Sequence, residues 1–120
     1  MRILLVDDEQ PSLDELEYLL GKYHDVDLAG SFTKPQEALL SILHCVPDVM
    51  FLDIEMPVMS GLELAERIRA TYGQVAIVFV TAYGKKFAGA LSRQSAEYLQ
   101  KPVSEAKLRT LLEKIRQKMK

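Results

Sequence analysis

The chain has 120 residues, 48% of them hydrophobic and 27% charged, with a net charge of −2. This suits one domain, residues 1–120, around one core, and leaves no charge bias toward direct nucleic-acid or membrane binding. No apolar stretch is long enough to span a bilayer, "MRILLVDDE" is too short and too acidic for a signal peptide, and the lone Cys45 cannot form an internal disulfide, so a cytoplasmic protein is expected.

Short apolar runs alternate with longer amphipathic ones. "RILLVD" (residues 2–7) reads as a parallel strand covered on both faces. "SLDELEYLLGKY" follows, with Leu13, Leu16, Leu19 and Leu20 at helical spacing and Ser12 and Glu15 at capping-box spacing. "VDLAGSF" (residues 26–32) alternates like a less buried strand. The helix "TKPQEALLSILHC" carries Thr33 and Gln36 as a second capping box, with Pro35 in its first turn. "DVMFLD" (residues 48–53) is a third strand, and Ser60 and Glu63 cap the helix after it. "QVAIVFVT" (residues 74–81) is the most apolar strand and is expected at the sheet centre. "KKFAGALSRQ" is a weak helix interrupted by Gly89, and "AEYLQK" a short strand. "SEAKLRTLLEKIRQKM" closes the chain with Leu108, Leu111, Leu112, Ile115 and Met119 on one face. No internal repeat or Gly/Ser linker interrupts the series.

Five strand–helix pairs in strict alternation imply an α/β, doubly wound parallel sheet with right-handed crossovers. Ligands of such sheets gather at the carboxyl ends of the strands. Those ends are Asp7, Asp8 and Glu9; Asp53, Ile54 and Glu55; Thr81 and Ala82; Lys101 and Pro102. Each motif alone reads as a solvated turn or a common strand residue. Together on one edge they make a chemical set. Asp7, Asp8 and Asp53 crowd three carboxylates that cannot all stay ionised without a cation. Magnesium fits, because it takes one or two carboxylates and fills its remaining positions with water or phosphate oxygens. Lys101 adds a positive charge and Thr81 a hydroxyl. A carboxylate nucleophile beside them can attack phosphorus and hold it as an acyl phosphate.

"LLVDDE", "FLDIEMPVMSGLEL", "FVTA" and "EYLQKP" resemble, in order and over essentially the whole chain, the receiver domain of bacterial two-component response regulators. The resemblance implies the flavodoxin-like (βα)5 fold with strand order 2-1-3-4-5. It implies Asp53 as phosphoacceptor, and Asp8 as magnesium ligand with Asp7 in support. Glu55 would lend its backbone carbonyl to the metal. Thr81 would be the switch hydroxyl, Lys101 the partner of the phosphoryl group, and Tyr98 the aromatic that turns inward with the switch. Lys101 and Pro102 would be joined by a cis peptide. A sensor histidine kinase would supply the phosphoryl group in a reaction the domain helps catalyse. The readout would be the fourth helix, fifth strand and fifth helix, which could also form a homodimer. A C-terminal, DNA-binding output domain could follow and control transcription. "TAYGKKFAGALSRQSAEYLQKP" resembles receivers that precede LytTR-type domains, with departures at Leu91, Ser95 and Gln100.

The competing enzyme reading is a phosphohydrolase with an aspartyl-phosphate intermediate. It needs a second aspartate two residues after the nucleophile, where this chain has Glu55. A flavin-binding module needs a phosphate-cradling first loop, and "DDEQPS" is acidic there. His24 and His44 read as structural histidines near helix ends, and Cys45 as a packed thiol. Met50, Met56 and Met59 read as packing residues. Tyr83 and Phe87, beside Thr81, remain open between packing and a partner surface.

Overall fold

The computed structural model describes residues 1–94 and 96–119; Ser95, one of the departures noted above, lies outside them. The elements alternate as β1 Arg2–Val6, α1 Gln10–Leu20, β2 Asp27–Phe32, α2 Pro35–Ile42 and β3 Val49–Asp53. They continue as α3 Gly61–Thr71, β4 Ala76–Thr81, α4 Ala88–Arg93, β5 Glu97–Gln100 and α5 Glu105–Met119. All strand pairs are parallel, in the order β2-β1-β3-β4-β5. This is the flavodoxin-like (βα)5 arrangement.

The period-2 alternation of the inner strands divides the core in two. Ile3, Leu5, Val49, Phe51, Val78, Val80 and Leu99 face α1 and α5. Leu4, Val6, Met50, Leu52, Ile77 and Phe79 face α2, α3 and α4. Near-continuous apolar runs are the consequence of this two-sided cover. β3, with all five residues buried, holds the middle of the sheet. The more apolar β4 sits one place outward, between β3 and β5, and is interior without being central. Its extra apolar length serves two helical faces and does not set its rank in the order.

Of the three expected capping boxes, only the third shows the N-cap bond of its serine or threonine. Ser60 Oγ accepts from the Glu63 N–H at 3.2 Å. α1 starts earlier, with Glu9 at its N-cap, and α2 starts after Lys34; neither has a side-chain cap. Both helices carry proline in the first turn, where its fixed φ and missing N–H suit the helix start and set its position. Glu15 is therefore free for another partner and accepts from the Val103 N–H at 3.3 Å. At the far end, Leu108, Leu111, Leu112 and Ile115 are buried, whereas Met119 is half exposed.

Gly61 places α3 against the end of β3. Its N–H donates to the Ile54 carbonyl at 2.8 Å. A Cβ at this position would run into the Asp53 carbonyl oxygen and carbon. The clash is with backbone, which cannot rotate away. Gly61→Ala should therefore lower stability by about 1–3 kcal/mol, the usual cost of forcing extra volume into a packed site. Gly73→Ala is the control, since a Cβ there meets only ordinary contact with the Arg69 carbonyl. Urea midpoints should fall for the first variant and stay near the parent's for the second.

Candidate functional site

Strand register brings the polar strand ends together. Val6 pairs with Leu52, Asp53 with Val80, and Thr81 with Gln100. Asp7, Asp53, Thr81 and Lys101 thus close one edge of four adjacent strands. Asp7, Asp53 and Lys101 continue the alternating rows of Ile3 and Leu5, of Val49 and Phe51, and of Leu99. The backbone ladder extends to the last of them, with the Lys101 N–H donating to the Thr81 carbonyl at 2.8 Å. The Lys101–Pro102 peptide is cis.

Asp7, Asp53 and Thr81 are the buried polar residues of the domain, at 1%, 5% and 1% exposure among the described residues. The Lys101 ammonium lies among three carboxylates: 2.8 Å from Asp7 Oδ2, 3.4 Å from Glu9 Oε1 and 3.6 Å from Asp53 Oδ1. Asp7 Oδ1 accepts from the Glu9 N–H at 2.9 Å. Asp7 Oδ2 is buried and has no aligned hydrogen-bond donor; Lys101 stands beside it as a charge. Oxygens of Asp7, Asp8, Glu9 and Asp53 all lie within 4.8 Å of one another. An all-oxygen, acidic donor set with a buried lone pair unclaimed suits a hard divalent cation.

One lysine does not neutralise this crowd. Burial, and then the charge of Asp7, push the Asp53 carboxyl up to about 7, while Lys101 pulls the other way and the Asp8 carboxyl beside it adds to the rise. Burial works against the Lys101 ammonium, but Asp7, Asp53 and Glu9 outweigh it and hold its pKa above the ordinary value.

Thr81 Oγ1 accepts from the Tyr83 N–H at 2.9 Å, which leaves its own proton available to a neighbour. Tyr98 is turned outward, 47% exposed. Its ring lies over Gly84, where a Cβ would meet Cε2 at 3.0 Å. Glu55 is exposed, and its carboxylate pairs with Lys86 at 3.1 Å. The sequence places Glu9 on the ligand-gathering edge without a role of its own, and gives no sign of Lys86. Glu9 was legible as the third acid of "DDE"; Lys86 carries no local signal, being thirty-one residues from its partner. His24 and His44 are exposed, and Cys45 is half buried beside the Arg2 guanidinium. Met50, Met56 and Met59 pack into the core, joined by Phe87, whereas Tyr83 is exposed.

The profile described as "Response regulator receiver domain" matches residues 3–113. The sensory transduction protein LytT of Bacillus cereus is 33% identical over 114 residues, 95% of this chain and 46% of that protein. The transcriptional regulatory protein BtsR of Escherichia coli K12 is 33% identical over 117 residues, 98% of this chain and 48% of that protein. The chain thus spans about half the length of these curated relatives. The response regulatory domain of mrkE from Klebsiella pneumoniae superposes with a TM-score of 0.88 at 30% identity, covering 98% of this chain and 96% of that one.

The raised Asp53 pKa has a consequence for stability without metal. Between the unperturbed value of 3.8 and about 7, the folded chain holds a proton that the unfolded chain has lost. Stability therefore falls as pH rises through that window. In EDTA, Asp53→Asn should match the parent near the lower end. Above the window it should be more stable by about 4 kcal/mol, or roughly 10–20 °C in Tm. Thermal melts across the window read this directly; an equal slope in both proteins would remove Asp53 as its source.

Proposed function

The chain belongs to the response regulator receiver domain family, the signalling module of two-component systems, and from that premise we propose that Asp53 accepts a phosphoryl group from a sensor histidine kinase. The observation that carries this reading is a buried strand-end carboxylate facing a lysine and three further acids.

In the proposed step an ionised Asp53 oxygen attacks phosphorus. The bond from phosphorus to the donor nitrogen breaks, and an acyl phosphate forms on Asp53. Lys101, 3.6 Å from Asp53 Oδ1, sets positive charge where the phosphoryl oxygens gain negative charge. Asp8 and Asp53, with the Glu55 backbone carbonyl and with Asp7 in support, would hold magnesium, which supplies further positive charge to the phosphoryl oxygens. The buried Thr81 hydroxyl is the donor that would turn to the new group, and the outward Tyr98 would follow it inward. The domain itself thus aids gain and loss of its phosphoryl group. No second substrate pocket or acid/base aspartate is required of it, and the Glu55 carboxylate is engaged with Lys86.

Phosphorylation would bias an equilibrium between two conformations. The face of α4, β5 and α5 would carry the signal, either to a homodimer partner or to an output domain. Relatives of about twice this length, one of them a transcriptional regulatory protein, support a further output domain; its proposed form is a C-terminal DNA-binding domain of LytTR type, acting in the cytoplasm. Among the described residues no helix is long and apolar enough to cross a membrane.

Acetyl phosphate with magnesium should add one phosphoryl group to the parent by intact mass, and none after EDTA or in Asp53→Asn. Lys101→Ala should slow the gain about 10²-fold, as for loss of one preorganised donor to a developing anion. Thr81→Ala should still take the group but leave Tyr98 solvent-exposed, read by tyrosine fluorescence quenching. Phosphoryl gain in Asp53→Asn would place the acceptor elsewhere.

A further inference from the structure

α4 is the least anchored helix of the fold. It has six residues, one of them buried, Leu91, and no side-chain cap. Gly89 lies within it, and so short a helix does not hold itself by backbone hydrogen bonds. α3 and α5 each bury four residues by comparison. The α4 segment is tied down instead by two side-chain bonds, one near each end, both reaching to the β3–α3 unit. Before the helix, Lys86 Nζ donates to Glu55 Oε1 at 3.1 Å. The same ammonium lies 5.8 Å from the centroid of the Tyr83 ring and 5.3 Å from that of Phe87. After the helix, Arg69 Nη1 donates to Gln94 Oε1 at 2.7 Å in a half-buried setting. Gln94 is itself bonded to the helix through its N–H to the Ala90 carbonyl.

We propose that these two bonds are a clamp that holds α4 in its resting position, and that phosphorylation opens it from the Lys86 end. The proposal rests on the reading of Asp53 as phosphoacceptor. Lys86 and Glu55 line a cavity of about 580 Å³ together with Asp8, Ser60 and Phe87. A phosphoryl dianion on Asp53 offers Lys86 a second anion, and a divalent cation offers Glu55 a second cation. The Lys86–Glu55 pair is exposed and screened, so its partners exchange at little cost. Arg69 is out of reach of this competition. It lines a cavity with Asp48, at the opposite end of β3 from Asp53. One bond is thus sensitive to the site and the other is not, so α4 pivots about its Gln94 end. A bond present in only one of two states biases the equilibrium toward that state, and its removal favours the other.

The test uses Lys86→Met, which keeps the stem over the aromatic rings, and Gln94→Ala, which touches neither cation nor anion at the site. In the unphosphorylated protein, amide hydrogen exchange over residues 83–94 should rise about twofold in Lys86→Met, whose pair is exposed, and about threefold to tenfold in Gln94→Ala, with β1 and β3 unchanged as the control for global stability. Gln94→Ala should also bind beryllofluoride with magnesium about threefold to tenfold more tightly than the parent, since less must be released. Exchange equal to the parent's in both variants overturns the clamp, and so does an unchanged or weaker beryllofluoride affinity in Gln94→Ala. If the parent binds no beryllofluoride, the phosphoacceptor reading fails, and the exchange result alone decides the clamp.

Discussion

Two buried carboxylates sharing one lysine is the constraint on which the rest of this domain turns. Asp7 and Asp53 end adjacent parallel strands, and the sheet's register leaves them no freedom to part. Lys101, delivered by β5 from two strands away, neutralises the pair incompletely. The residue of that imbalance is visible twice, in the raised pKa of Asp53 and in the unclaimed oxygen of Asp7. A site with this excess of negative charge favours the binding of whatever brings positive charge to it.

The scaffold around the crowd is rigid where the chemistry sits and loose where a signal would leave. β3 is wholly buried between two apolar clusters, and Gly61 packs α3 directly against the carbonyl of Asp53. The segment after β4 is the opposite. Thr81 is buried, but two residues later the chain is exposed, and α4 has a single buried side chain. A rigid donor set thus sits beside a weakly held helix, the arrangement in which the proposed change of charge at Asp53 could move structure without disturbing the core. Family membership and this division of rigidity point the same way. The fold does not by itself dictate function, and the proposal of a switch rests on the site at its edge.

Much of the site was readable before any fold was drawn, because its residues end apolar runs. Asp7, Asp53 and Thr81 each end an apolar run abruptly, and Lys101 follows the short strand β5. Helix starts were less readable: Ser12 and Thr33 have capping-box spacing, yet the prolines beside them shift the helix starts so that neither caps. Glu9 joins the cluster through Lys101, and the Glu55–Lys86 and Arg69–Gln94 bonds join distant loops. Such long-range polar pairs leave no periodic trace, since each side chain is an ordinary surface residue in its own segment.

By itself the sequence determined the element order, the parallel sheet and the chemical identity of its carboxyl edge. Those follow from local rules: the length of apolar runs, their period, and the residue type that ends each one. The tertiary structure alone decided which strand is central, where Tyr98 points, how incompletely one ammonium serves three carboxylates, and what ties α4 down. Those depend on distances between residues far apart in the chain. Burial and Coulomb energy vary with such distances, and a local pattern carries no record of them.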